Sequence, residues 1–142
     1  MLHSVNLMDT AENGYEVSVT TNRPVAEAVS AIAEALRSRG YGVLGTIDVR
    51  KTLKEKAGRD VNDFTILDVC NPLHALNVIE RTDKAGLVLP CKLSLREEGS
   101  GTRISMLRPG KIFGLIGDPA LSDIAGLVER EITGAMQSVA GE

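Results

Sequence analysis

Both cysteines of the chain are placed where a thiol could take part in chemistry, at the edges of predicted strands. Cys70 ends one strand, and Asn71 and Pro72 follow it as the cap and first turn of a helix. Backbone amides and the positive end of the helix dipole favour a thiolate at such a position. His74 lies four residues after Cys70, on the first helical turn, and can face the same way. The pattern makes Cys70, Asn71 and His74 candidate site residues.

Cys91 begins the next predicted strand, twenty-one positions after Cys70. If the helix between them packs back on the sheet, the two sulfurs lie near one edge. Three interpretations stay open. The thiols are small buried hydrophobes, they form a binding or reactive site with His74, or they form a reversible disulfide, which needs Cα atoms within about 7 Å. Lys92 is expected on the opposite face of the strand from Cys91.

Two thiols and an imidazole are soft ligands that suit zinc or copper. The candidate metal ligands are Cys70, His74 and Cys91, one fewer than a structural zinc site normally uses. No closely spaced CxxC pair is present, so the metal signal is weak. For an organic ligand, the candidate binding residues are Cys70, Asn71 and Cys91.

Composition and charge exclude several classes of protein. The chain has 142 residues, of which 43% are hydrophobic and 25% charged, as in an ordinary single globular domain. Only two Tyr and two Phe are aromatic, and the net charge is -3, so we expect no nucleic-acid partner. No apolar run could span a bilayer, and the N-terminus lacks the features of a signal peptide. These observations predict a cytoplasmic protein with reduced cysteines and no membrane partner.

Hydrophobic periodicity predicts the elements that position these residues. After a loose lead-in at residues 1–13, residues 14–142 form one domain in the order β-α-β-α-β-α-β-β-α. The last two strands form a hairpin around Gly99 to Gly101, so the sheet of about five strands is mixed or antiparallel. With helices on one face, the prediction is a two-layer α+β sandwich.

Three helices carry apolar stripes that should face the sheet. In the helix after Cys70, the predicted buried face is Leu73, Leu76 and Ile79, together with Val78. The other two stripes are Val25, Val29, Ile32 and Leu36, and Leu121, Ile124, Val128, Ile132 and Met136.

The segment from Gly110 to Gly117 is Gly-rich but is not a phosphate loop, because Lys111 comes at its start rather than its end.

Two runs of sequence carry a resemblance to a known family. The first is Ile66-Leu67-Asp68-Val69-Cys70-Asn71-Pro72, and the second is Gly86-Leu87-Val88-Leu89-Pro90-Cys91-Lys92-Leu93. Over about residues 14–139 the chain resembles the domain of unknown function 302 (DUF302) family. The resemblance implies a TATA-binding-protein-like α+β fold, a homodimer, and no particular reaction. It also implies that the family's paired cysteine positions correspond to Cys70 and Cys91.

Three functions are compatible with the sequence. The first is a binding module that holds a small ligand or soft metal near the paired cysteines. The second is a thiol redox or sulfur-carrier enzyme, with Cys70 as nucleophile and Cys91 as its resolving partner. The third is a structural or oligomerisation domain without a site. Whether the chain is an enzyme is left open by the sequence.

Overall fold

The structure is a computed structural model and describes residues 13–140. Within that range the chain forms five strands and six α-helices, with one short 3₁₀ turn before the last helix. The strands are β1 (Glu16–Thr21), β2 (Gly42–Asp48), β3 (Phe64–Cys70), β4 (Cys91–Glu98) and β5 (Gly101–Leu107). The helices are α1 (Val25–Arg37), α2 (Val49–Ala57), α3 (Pro72–Arg81), α4 (Ala85–Val88), α5 (Pro109–Gly114) and α6 (Ser122–Val139).

The five strands form one sheet in the order β1-β5-β4-β3-β2, and every neighbouring pair is antiparallel. The β4–β5 hairpin closes where Glu98 pairs with Gly101, as the Gly-rich turn predicts. Because both edges are occupied by early strands, the later hairpin lies inside the sheet. The α+β sandwich with an antiparallel sheet is confirmed.

One face of the sheet carries the main core. The long helices α1 and α6 pack there. Most residues of their predicted stripes are buried, and Ile32, Leu36, Ile132 and Met136 are fully enclosed, whereas Val29 and Ile124 are partly buried. Alternate residues of the central strands meet them, because successive side chains of a strand point to opposite faces. Each large apolar side chain buried in this way contributes about 1.5–3 kcal/mol relative to an exposed one.

The predicted buried face of α3 is wrong. Leu73, Leu76 and Ile79 are 73%, 50% and 58% exposed, and only Val78 is buried. Val78 packs in a small second core with Leu121 and with residues of α4, α5 and α6. The sequence of α3 is apolar around much of its circumference, and only the side that carries Val78 meets a neighbour within residues 13–140. Periodicity alone could not tell which side that would be.

Two short helices were not predicted from the pattern. Helix α4 occupies the crossing segment before Cys91, and a cis peptide bond between Leu89 and Pro90 joins it to β4. Helix α5 occupies the first part of the Gly-rich segment that begins at Gly110. Both helices are shorter than two turns, so they carry little periodic signal.

The predicted lead-in at residues 1–13 lies outside the described residues, except for Asn13. Asn13 accepts hydrogen bonds from the backbone amides of Tyr15 and Glu16 through its side-chain oxygen. None of the helices formed by residues 13–140 has the length and apolar character needed to cross a bilayer.

Candidate functional site

Asn71 joins β3 to α3 and caps the helix, as predicted. Its Oδ1 atom accepts hydrogen bonds from the backbone amides of Leu73 at 3.0 Å and His74 at 3.2 Å. These are the amides that a Cys70 thiolate would otherwise use. The cap therefore occupies the helix N-terminus that the sequence offered for activating Cys70.

The two cysteines are free thiols and are not near each other, so the predicted cysteine pair is wrong. The strand register gives the physical reason. Val69, not Cys70, pairs with Cys91 across β3 and β4. Because side chains alternate along a strand, a one-residue offset separates the side chain of Cys70 from that of Cys91.

Burial makes both thiols poor nucleophiles. It raises the pKa of Cys91 to about 11, and it also raises the pKa of the half-buried Cys70. A desolvated thiol resists losing its proton, because the thiolate loses more hydration than the neutral group. A thiol redox enzyme needs the opposite shift, so the pKa values favour the interpretation of Cys91 as a buried hydrophobe.

His74 is engaged with a carboxylate on α6. Its Nε2 atom lies 2.9 Å from Oε1 of Glu131, and the hydroxyl of Tyr41 donates to the same oxygen at 2.8 Å. Burial, followed by this hydrogen bond, raises the pKa of Tyr41 above its usual range. Tyr41 follows α1, so the three side chains tie α3 and the start of β2 to α6.

Sequence reasoning missed Tyr41 and Glu131 as partners of His74. The sequence held one weak indication that Glu131 has a polar partner. Glu131 lies beside the buried stripe of α6, next to Ile132 and one turn after Val128, where an acidic side chain requires a polar partner. Nothing in the sequence specified which partner it would be.

The predicted site residues share one small cavity. Cys70, Asn71, His74 and Cys91 all line it, but its volume is about 20 Å³, room for about one water molecule. Among residues 13–140 no group of three or more His, Cys, Asp or Glu side chains is placed to hold a metal ion. A zinc or copper site of Cys70, His74 and Cys91 therefore receives no support.

A much larger groove lies on the face of the sheet that α1 and α6 leave open. Its volume is about 830 Å³. The floor is formed where Ser94 of β4 pairs with Ser105 of β5, and these small side chains leave space. Phe64 and Ile66 of β3 flank the floor on one side. The remaining walls come from α4, α5 and the residues beside β1, including Leu87, Ile112, Leu115, Tyr15 and Leu107.

Three charged residues line the groove, namely Glu16, Lys92 and Lys111. Lys92 donates to Asp68 across β3 and β4, with Nζ 2.9 Å from Oδ1. Glu16 accepts a hydrogen bond from the side chain of Asn13 at 3.1 Å. Lys111 of α5 also lines the groove, and no ion pair or hydrogen bond of its ammonium is found within residues 13–140.

Some residues of this groove could be recognised from the sequence, but the groove itself could not. Lys92 lies on the opposite face of β4 from Cys91, as expected, and that face belongs to the groove. The apolar outward positions Ile66 and Leu107 were a signal, because the uncovered face of a two-layer fold is normally polar. The walls from α4 and α5 could not be predicted, since neither helix was.

Comparison with known proteins bears on the identity of the chain. A family model described as a domain of unknown function, DUF302, matches residues 17–139. The chain belongs to the DUF302 family. A crystal structure of an uncharacterised conserved DUF302 protein from Bacillus stearothermophilus is similar, with a TM-score of 0.84 and 31% identity, covering 88% of this chain and 98% of that one. No curated protein matches. The family has no assigned activity, and the TATA-binding-protein-like detail of the DUF302 fold stays a prediction.

Proposed function

We propose that the protein is a non-catalytic binding module that holds a small organic molecule in the open-face groove. The observation that carries the proposal is the groove itself. A volume of about 830 Å³ falls within the range of roughly 300–1,000 Å³ that small-molecule sites occupy. Its walls are mainly apolar, with a few serines and lysines that could orient a ligand.

This proposal keeps the predicted binding function but moves it away from the cysteines. The cavity beside Cys70 and Cys91 has room for about one water molecule, whereas the open groove has room for a molecule of ligand size. The raised pKa values of both thiols also favour binding over thiol chemistry.

The groove can be tested with N-phenyl-1-naphthylamine, a neutral apolar molecule whose fluorescence rises in apolar surroundings. We expect saturable binding by the wild-type protein. Ser94→Trp places a large ring on the groove floor and should weaken binding at least about tenfold, since it fills the space the probe needs.

Leu44→Trp is the matched control. Leu44 lies on the edge strand β2, is 67% exposed, and does not line the groove. We expect its affinity to stay within about twofold of wild type. Circular dichroism should show that both variants are folded. Equal probe affinity in Ser94→Trp and wild type would contradict the proposed site.

An oligomerisation role is the alternative, and the exposed face of α3 favours it. Leu73, Leu76 and Ile79 form an apolar surface, here called the α3 stripe, that no neighbour within residues 13–140 covers. A second copy is the proposed partner, because a two-fold contact places identical stripes together. An antiparallel contact would also bring Glu80 toward the positive end of the partner's helix.

A further inference from the structure

Lys111 is the charge in the groove that lacks a partner among the described residues. The carboxylate of Asp68 neutralises Lys92, and Glu16 is held by Asn13. Lys111 has no such contact within residues 13–140, although it lines an apolar groove. Lys111 is exposed, so its ammonium can form a charge-assisted hydrogen bond with an anion that enters the groove.

The strand register places this charge at one end of the groove. Lys92 is the second residue of β4, and Lys111 follows four residues after the end of β5. Since β4 and β5 are antiparallel, the start of one strand and the end of the other lie at the same end of the sheet. Phe64 pairs with Arg96, so it lies toward the opposite end.

Both lysines of the groove therefore lie toward one end. They stand near α4 and α5, among apolar side chains such as Leu87 and Ile112, and Ile66 and Phe64 continue the apolar lining toward the start of β3. Ser94 pairs with Ile66, and its hydroxyl makes no hydrogen bond within residues 13–140 and could donate to a ligand.

We infer that the ligand is an amphipathic organic acid, with its carboxylate at Lys111 and its apolar body against Ile66 and Phe64. This inference rests on the proposed function and specifies the ligand class of the same groove. Glu16 lines the groove at the same end and keeps its negative charge, but its Oε1 atom already accepts a hydrogen bond from Asn13. The ammonium of Lys111 makes no hydrogen bond within residues 13–140, so it is the cation available to an anionic ligand.

The test is displacement of N-phenyl-1-naphthylamine by three ligands of equal chain length: decanoate, decanol and decylamine. The wild-type protein should bind decanoate most tightly. Lys111→Gln should weaken decanoate binding about fivefold, the range of a partly exposed ion pair, and leave decanol binding unchanged. Lys111→Arg keeps the charge and should restore most of the decanoate affinity.

The outcomes separate the two claims. If decanoate and decanol displace the probe equally well, and Lys111→Gln changes neither, the groove binds apolar molecules without selecting an anion, and the inference is overturned. Tighter binding of decylamine than of decanoate would overturn it as well. If the wild-type protein binds no probe, or if Ser94→Trp binds it normally, the proposed function and this inference both fail.

Discussion

The two thiols differ in burial, and burial sets their reactivity. Cys91 is 6% exposed at the start of a central strand, whereas Cys70 is half-buried at the end of its strand. The pKa of both groups is raised by loss of hydration, to about 11 for Cys91. The thiolate, which is the reactive species, is therefore scarce at neutral pH.

We expect iodoacetamide at pH 8 to alkylate Cys70 slowly and to leave Cys91 unmodified until the protein unfolds. Because the pKa of Cys70 is raised, its alkylation rate should keep rising above the pH at which an ordinary cysteine, with a pKa near about 8.5, is half ionised. Mass spectrometry of peptides from native and unfolded protein would measure both rates.

Cys70→Ser and Cys91→Ser are the matched controls, since each leaves a single thiol. A midpoint for Cys70 below that of an ordinary cysteine would show an activated thiol. That result would contradict the raised pKa and favour the thiol enzyme over the binding module.

At the scale of a single element, α3 depends on its first residues. Asn71 satisfies two amides of the first turn, and Pro72 at the start of the helix has no amide to satisfy. These residues predict the start of α3 correctly from sequence. Its buried side was not predictable, because that depends on where α6 lies.

Asn71→Ala should lower the free energy of unfolding by about 1 kcal/mol, the usual value of a helix cap. Asn71→Asp retains an oxygen acceptor and should stay close to wild type. Urea denaturation followed by circular dichroism would measure both.

Asn77→Ala is the control on the same helix, since Asn77 is exposed and makes no capping bond. It should change the free energy of unfolding by less than about 0.5 kcal/mol. If Asn71→Ala were as mild as Asn77→Ala, the cap would not stabilise α3 as described.

At the scale of the whole molecule, the part of the chain from residue 13 to residue 140 leaves at least two apolar surfaces uncovered. One is the groove on the open face of the sheet, and the other is the α3 stripe. Exposed apolar patches of this kind mark ligand or protein contacts more often than chance. We propose that the groove binds a small ligand and that the α3 stripe contacts a second copy.

Sedimentation equilibrium should find a dimer, and Leu76→Glu at the centre of the α3 stripe should convert it to a monomer by burying a charge in the contact. Leu44→Glu is the control, because Leu44 is 67% exposed on the edge strand β2, outside the stripe. If the wild-type protein stayed monomeric at the highest soluble concentration, the proposed dimer would be wrong.

The groove variant gives an independent check on this assignment. Ser94→Trp should leave the dimer intact, because the groove and the α3 stripe involve different residues. If Ser94→Trp instead produced a monomer, the groove would be the interface, and its assignment to a small ligand would be wrong.

The sequence by itself determined the local features of this protein. Alternation and stripes predicted the strands, the long helices α1 and α6, and the cap at Asn71, because period and capping depend on neighbouring residues. The turn at Gly99 to Gly101 predicted the antiparallel hairpin of β4 and β5, which left a mixed or a fully antiparallel sheet open. The family resemblance to DUF302 also came from short runs of sequence.

Only the tertiary structure decided which residues, distant in sequence, these elements bring into contact. A register offset of one residue separated Cys70 from Cys91, and Glu131, distant in sequence, took His74 as its partner. The groove required α4 and α5 to stand beside the open face of the sheet, with Lys111 at its end. Such contacts join residues far apart in the chain, and periodicity carries no information about the distances between them.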